Sequence, residues 1–338
     1  MPNFDSWTGL AAAPLACAAI ACVACGAILH FLLKTGLAWR LATDVPNDRS
    51  LHTLPVPRVG GWGIVPVVAV LTWLRAGELW LVALLAVLLA ALSQIDDRKG
   101  LPARVRFGGH VAAVAVLIVV YPASVAWWLL FGAAFLLVWL INLYNFMDGA
   151  DGLAGGMALF GFGGYAIAAA TRGQVDTALV VACGSIAGAA AGFLVFNLHP
   201  ARIFLGDAGS IPLGFLAGAL GYWGWREGAW PVWFPFVVFS PFISDASVTL
   251  LKRLLRGEKF WQAHREHYYQ RLVRSGLGHA ATARIWYSMM LAGIIVATIA
   301  LGMPERYQWV AVTVWATVLV FVGLRIDHRW RQYLARSE

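Results

Sequence analysis

Five aspartates, Asp96, Asp97, Asp148, Asp151 and Asp207, stand at the ends of long apolar runs. Charge beside hydrocarbon is costly, so acids kept there usually have a ligand. Asp96 and Asp97 are adjacent, and adjacent carboxylates repel unless a cation or strong donors lie nearby. One can bind a metal or substrate while the other accepts a proton, although Arg98 and Lys99 would also suit a plain solvated helix end. Asn145, Asp148 and Asp151 recur at i, i+3 and i+6, a single face if the segment is helical. Gly149 and Gly152 leave room there for a phosphate or sugar, and a helix cap would need only one acid. Gly206-Asp207-Ala208-Gly209-Ser210 reads either as an N-cap or as a metal-binding carboxylate at a helix N-terminus that attracts phosphate oxygens. Hard carboxylate oxygens point to Mg2+, with Mn2+ the alternative ion. Zinc is disfavoured because no Cys/His set has ligand spacing. His264 and His267 are too few for a metal alone, but with Arg265 and Arg271 they suit a nucleotide or its phosphates.

The elements that must position these residues are membrane helices. The 338-residue chain is 60% hydrophobic and 12% charged, with mean hydropathy +0.72, a profile foreign to soluble domains. Eleven spans are expected, at roughly 10–33, 60–74, 78–93, 108–121, 125–141, 154–170, 177–195, 211–225, 230–250, 285–302 and 307–324. They form an all-α polytopic bundle, a single integral-membrane domain over 1–338. The first apolar stretch is too long for a cleaved signal and has no Lys or Arg before it. Cys22 and Cys25 have CxxC spacing, but inside a span that reads as helix packing. Residues 34–59 form a proline-punctuated connection, and Leu250, Leu251, Leu254 and Leu255 extend the ninth span as an amphipathic helix.

With eleven spans, 21 of the 25 Lys and Arg fall in the odd-numbered connections and the C-terminal segment. Basic loops stay in the cytoplasm, so the N-terminus is expected in the periplasm of a bacterial inner-membrane protein. The same parity puts all five acids on the cytoplasmic face. The net charge of +8 therefore follows topology, and nucleic-acid binding is excluded. An ion-coupled transporter is the alternative of a different class, but it calls for midplane charges and repeated halves. The Asp-Gly pairs faintly suggest a CDP-alcohol phosphotransferase, whose further Ala-Arg and aspartate positions are absent.

Five blocks in order carry a resemblance: DVPNDRSLHTLPVPRVGG (44–61), DDRKGLPARVRF (96–107), NLYNFMDGADGLAGG (142–156), FNLHPARIFLGDAGSIPLGF (196–215) and AHREHYYQRL (263–272). Over about 44–279 the chain resembles the polyprenyl-phosphate N-acetylhexosaminyl-1-phosphate transferases, glycosyltransferase family 4. The resemblance implies transfer of a HexNAc 1-phosphate from a UDP-HexNAc donor to undecaprenyl phosphate in the bilayer, with release of UMP. It makes Asp207 the principal Mg2+ ligand, supported by Asp148. Asp96 and Asp97 would bind or deprotonate the lipid phosphate, with Asp97 the base. Asn145, Asp148 and Asp151 would orient the nucleotide-sugar, and Arg104 and Arg106 would lie near the phosphates. Arg49 and His52 of the first block, and His264, Arg265, His267 and Arg271, would line the donor site. One-step and phospho-enzyme routes both accord with these residues, as do a monomer and a homodimer. Where many GlcNAc-type members carry His-x-His-His, only His267 remains, followed by Tyr269 and Gln270 in the other two places. That version resembles the branch initiating O-antigen, which implies a 6-deoxy sugar such as FucNAc or QuiNAc ahead of GlcNAc, and disfavours MurNAc-pentapeptide.

Overall fold

Apolar runs of bilayer length form helices because, without water, each backbone N–H must find its acceptor within its own segment. A computed structural model describes residues 4–46, 50–171, 176–259, 262 and 264–337. The helices are α1 (Phe4–Lys34), α2 (Leu37–Leu41), α3 (Gly60–Arg75), α4 (Trp80–Lys99), α5 (Ala103–Val120), α6 (Trp127–Phe146) and α7 (Leu153–Thr171). They continue with α8 (Thr177–Asn197), α9 (Asp207–Arg226), α10 (Trp233–Val238), α11 (Ser240–Leu255), α12 (Tyr268–Leu272), α13 (Gly278–Ala300) and α14 (Glu305–Ser337). Two short strands, β1 (Thr43–Asp44) and β2 (Val56–Pro57), pair antiparallel.

Among the described residues, eight helical segments are long and apolar enough to cross a membrane. The expected spans each meet a helix, with one change of shape. The stretch 230–250 is broken at Phe239 into α10 and α11, where Pro235 and Pro241 flank the junction. Proline lacks the N–H that would carry the helical ladder through.

α8 is buried almost throughout, with α1, α3 and α7 against it, whereas α14 leaves most of its apolar surface outward. Lipid tails are as apolar as leucine, so small residues and close backbone contact drive helix association. A Cβ on Gly188 would fall 2.1 Å from the Ala18 carbonyl oxygen, and one on Gly192 2.2 Å from that of Cys22. α1 therefore lies directly on the backbone of α8. All four cysteines are free, in keeping with a packing role. α9 is the second central helix, with α4 and α6 alongside. At its far end, Asp176 caps α8 through the Leu179 N–H (2.9 Å) and accepts the Trp223 indole N–H of α9 (3.0 Å).

Candidate active site at the loop end of the bundle

The connections before α3, after α4, between α6 and α7, before α9 and before α13 meet at one end of the bundle. Pairing begins at the β1–β2 hairpin. Phe204 N–H donates to the Pro57 carbonyl (2.9 Å), while Gly60 and Gly61 N–H donate to Phe204 and Leu205 (2.9 and 3.1 Å). This splices the 44–61 block onto the segment leading into Asp207. Gly206 is the N-cap of α9 and Asp207 its first helical residue, so Asp207 is not itself the cap.

A cavity of about 240 Å³ opens among these loops, lined by Asp44, His52, Arg58, Asp148, Asp151 and Asp207, with Gln270 and His279 closing it. Asn145 sits beside it and donates from Nδ2 to both Asp207 Oδ1 and Ser210 Oγ (3.0 Å each). Asp148 accepts a backbone hydrogen bond from Gly206. Burial, then the facing Asp207 carboxylate, push the Asp148 carboxyl well above the usual range. The neutral form of Asp148 is therefore favoured in the metal-free site, and a bound cation competes with that proton. Divalent-metal affinity is expected to rise with pH, by up to about tenfold per unit where one proton leaves per ion. Isothermal titration at several pH values checks this, and a flat profile would count against Asp148 as a ligand. In the metal-free protein the sign reverses for stability. The native state keeps a proton the unfolded chain has lost, so stability falls as pH rises above the ordinary aspartate range.

Asn145, Asp148 and Asp151 do not share a helical face. α6 ends at Phe146, and residues 147–152 form a turn whose shape is held by Tyr269 Oη on the Phe146 carbonyl (3.2 Å) and Tyr287 Oη on that of Gly152 (2.6 Å). Asn145 and Asp148 consequently face Asp207, while Asp151 turns toward His199 and His279.

The paired aspartates are unequal. Asp96 is engaged by Arg106 (3.0 Å) and the Leu101 N–H (2.6 Å). Asp97 has Arg58 at 3.4 Å from Oδ1, and its Oδ2 is buried without a protein partner. Arg104 is exposed. His52 lines the cavity, edge-on to Phe204 and 3.9 Å from Asp44. Arg49, expected here, lies outside the described residues.

The last block contributes less directly. Arg271 is turned away into an ion pair with Asp327 of α14 (2.8 Å) and lies 3.6 Å from Glu266, which also holds Arg253 and Arg256. Arg265 lends its backbone carbonyl to Arg274. Burial, then the neighbouring His267 and Arg253, push His264 down to about 4, so it is a neutral hydrogen-bonding group at pH 7. His267 is buried against Asp245 of α11 (3.5 Å). Gln270 reaches the cavity, but Tyr269 is fully buried under the 147–152 turn.

Asp245 has no acidic neighbour to advertise it in sequence, yet its carboxylate accepts the Tyr268 and Tyr269 N–H groups (2.7 and 3.0 Å). Asp245→Ala would strand two buried donors, a cost on the order of 2–4 kcal/mol. A lowered melting temperature is the expected result, and an unchanged one would show that α12 does not depend on this cap. Asp44, Arg58, His199 and His279 were likewise not singled out by sequence reasoning. His199 and His279 lie within or just after quoted blocks, but their separations from Asp151, 48 and 128 residues, give no local signal.

A helical membrane bundle that closes carboxylates, histidines and an arginine around one polar chamber has the architecture of a membrane-embedded group-transfer enzyme. Residues 79–224 match glycosyl transferase family 4. The chain is 26% identical over 336 residues to the probable undecaprenyl-phosphate N-acetylglucosaminyl 1-phosphate transferase of Bacillus subtilis (strain 168), covering 88% of each chain. It is 29% identical to a decaprenyl-phosphate N-acetylglucosaminephosphotransferase of Mycobacterium tuberculosis, over 74% of each. It is also 36% identical to a phospho-N-acetylmuramoyl-pentapeptide-transferase of Geobacillus kaustophilus, over 55% of this chain and 66% of that one. These matches support the polyprenyl-phosphate N-acetylhexosamine-1-phosphate transferase family for this chain, which is a multi-pass protein of the bacterial inner membrane.

Proposed function

We propose that this chain transfers an N-acetylhexosamine 1-phosphate from a UDP-sugar to undecaprenyl phosphate at the cytoplasmic face, releasing UMP and starting an O-antigen or other cell-envelope glycan. The observation that carries the reading is Asp148 and Asp207 facing each other across one cavity, with Arg58 linking that cavity to Asp97. In the reaction, a lipid phosphate oxygen bonds to the β-phosphorus, and the bond from that phosphorus to the bridging oxygen breaks, so UMP leaves.

The residues fit a divalent cation. Burial and the facing Asp207 carboxylate push the Asp148 carboxyl up, and a cation held between the two would relieve that repulsion. Asp207 would be the principal ligand and Asp148 the second, with Mg2+ preferred and Mn2+ the alternative. When bound, the ion supplies charge neutralisation at the diphosphate. Asp97, freer than Asp96, takes the proton of the lipid phosphate. Arg58 and Arg106 steady the phosphates, and Asn145 orients Asp207. His52, Gln270 and the 147–152 turn bound the donor.

An apolar groove of about 570 Å³ runs along α6 from Leu129 to Leu143 against α9 and α10–α11. Its length and lining suit a polyprenyl chain whose phosphate lies at the carboxylates. The sugar reading rests on Gln270, the member of the Tyr269-Gln270 pair that reaches the cavity. Gln270 donates and accepts hydrogen bonds without an ionisable ring, which favours a neutral HexNAc such as FucNAc, QuiNAc or GlcNAc.

The test is purified protein with undecaprenyl phosphate, Mg2+ and a panel of UDP-HexNAc donors, reading UMP. Release only with both lipid and metal supports the transferase, and the best donor names the sugar. No UMP with any donor, under conditions where a relative works, would overturn it.

A further inference from the structure

Beside the cavity that Asp151 and His279 line, the fold assembles a second set of ligand-type side chains from three distant segments. Asp151 lies in the turn after α6, His199 follows α8, and His279 opens α13. Their candidate ligand atoms all lie within 4.8 Å of one another. Asp151 Oδ2 is 2.7 Å from His199 Nδ1, and its Oδ1 is 3.6 Å from His279 Nδ1. The two imidazoles are parallel within 4°, their centroids 5.4 Å apart, so both Nδ1 atoms flank one carboxylate.

Two further observations point to a ligand. His279 Nε2 is 3.2 Å from the Leu51 carbonyl oxygen, which can only accept, so Nε2 donates there and Nδ1 is the ring nitrogen that faces Asp151. A ligating histidine is oriented in this way, by donating its other N–H to a backbone carbonyl. Asp151 is buried, and among the described residues its ion-pair partners are both histidines, with neither Lys nor Arg opposite. The Ala201 N–H (3.2 Å) serves one of its oxygens, and its own N–H approaches His279 Nδ1 (3.2 Å), a contact that metal binding would replace.

We propose that Asp151, His199 and His279 form a second metal site, for a borderline transition ion of the zinc class, distinct from the carboxylate pair Asp148 and Asp207. Two nitrogens and one oxygen suit Zn2+, whereas Mg2+ prefers an all-oxygen set. Asp151 and His279 line the cavity, so the remaining coordination position opens toward the space where the proposed diphosphate would lie. The inference goes beyond the proposed transfer reaction and does not require it. Local sequence spacing could not reveal such a site, because its members come from three separate segments.

The experiment uses the full chain in nanodiscs, stripped with EDTA and equilibrated with Zn2+ in millimolar Mg2+, with bound zinc measured by mass spectrometry. One zinc per chain is expected. Binding should weaken about tenfold or more in His199→Ala and in His279→Ala, and should persist in Asp207→Asn. X-ray absorption at the zinc edge of the unaltered chain needs no variant, and two imidazole nitrogens with oxygen in the shell are expected. Absence of zinc above background, an all-oxygen shell, or uptake indifferent to both histidines would overturn the site. So would loss of zinc in Asp207→Asn alone, since that would assign the ion to the carboxylate pair.

Discussion

Asp207→Asn is expected to lower UMP release by at least about a thousandfold while leaving the fold intact. The substitution keeps the Oδ1 acceptor that Asn145 Nδ2 reaches at 3.0 Å, so the start of α9 retains its hydrogen bonds. What disappears is a negative charge facing the cavity and Asp148. Metal assistance at a phosphoryl centre contributes several kcal/mol, and each ~1.4 kcal/mol is tenfold in rate. Two measurements separate the roles. A metal-binding carboxylate predicts lost activity, weakened Mg2+ binding and an unchanged melting temperature. A residue serving only to begin the helix predicts activity near that of the parent, and that result would remove Asp207 from the metal site.

The second large effect is expected at Gly61, which touches no substrate in the proposed reaction. Its N–H is bonded to Leu205, and a Cβ there would fall 2.4 Å from the carbonyl carbon and oxygen of Ala208 and 2.5 Å from the Gly209 nitrogen. These are backbone atoms in the first turn of α9, so no side chain can swing aside. Gly61→Ala must force α3 and α9 apart at the turn that carries Asp207. Overpacking of this kind costs about 1–3 kcal/mol or more in stability. A misplacement near 1 Å at a reacting centre costs about a hundredfold in rate. Activity measured well below the variant's melting temperature should therefore fall about a hundredfold, beyond any loss of folded protein. A variant that melts early yet turns over normally when folded would show that α3 supports the bundle without setting the position of Asp207.

Much of this architecture was legible in the order of residues. Apolar runs of bilayer length leave the backbone one way to satisfy itself, so each expected span meets a helix. Acids at the ends of those runs had to lie near the surface, and the parity of the connections put them at one end. The break at Phe239 was less legible, because Pro235 and Pro241 lie in a run whose hydropathy alone reads as continuous. The Asn145, Asp148 and Asp151 periodicity was a true pattern without a helix beneath it. Tyr269 and Tyr287, more than a hundred residues away, hold those residues in a turn.

By itself, then, the sequence determined an all-helical membrane protein, the family resemblance, and the carboxylates available for chemistry, because hydropathy and short motifs are local properties. Only the tertiary structure decided which of those groups are free to react. Arg106 and the Leu101 N–H occupy Asp96 but leave Asp97 Oδ2 without a partner. Asp327 draws Arg271 away toward α14, and Asp245 rises from the helix core to cap α12. His199 and His279 come to Asp151 from two distant segments, 48 and 128 residues away. The physical reason is the same in each case. A carboxylate's charge, proton and ligands depend on what lies within a few ångströms of it, and here those neighbours come from segments far apart in the chain.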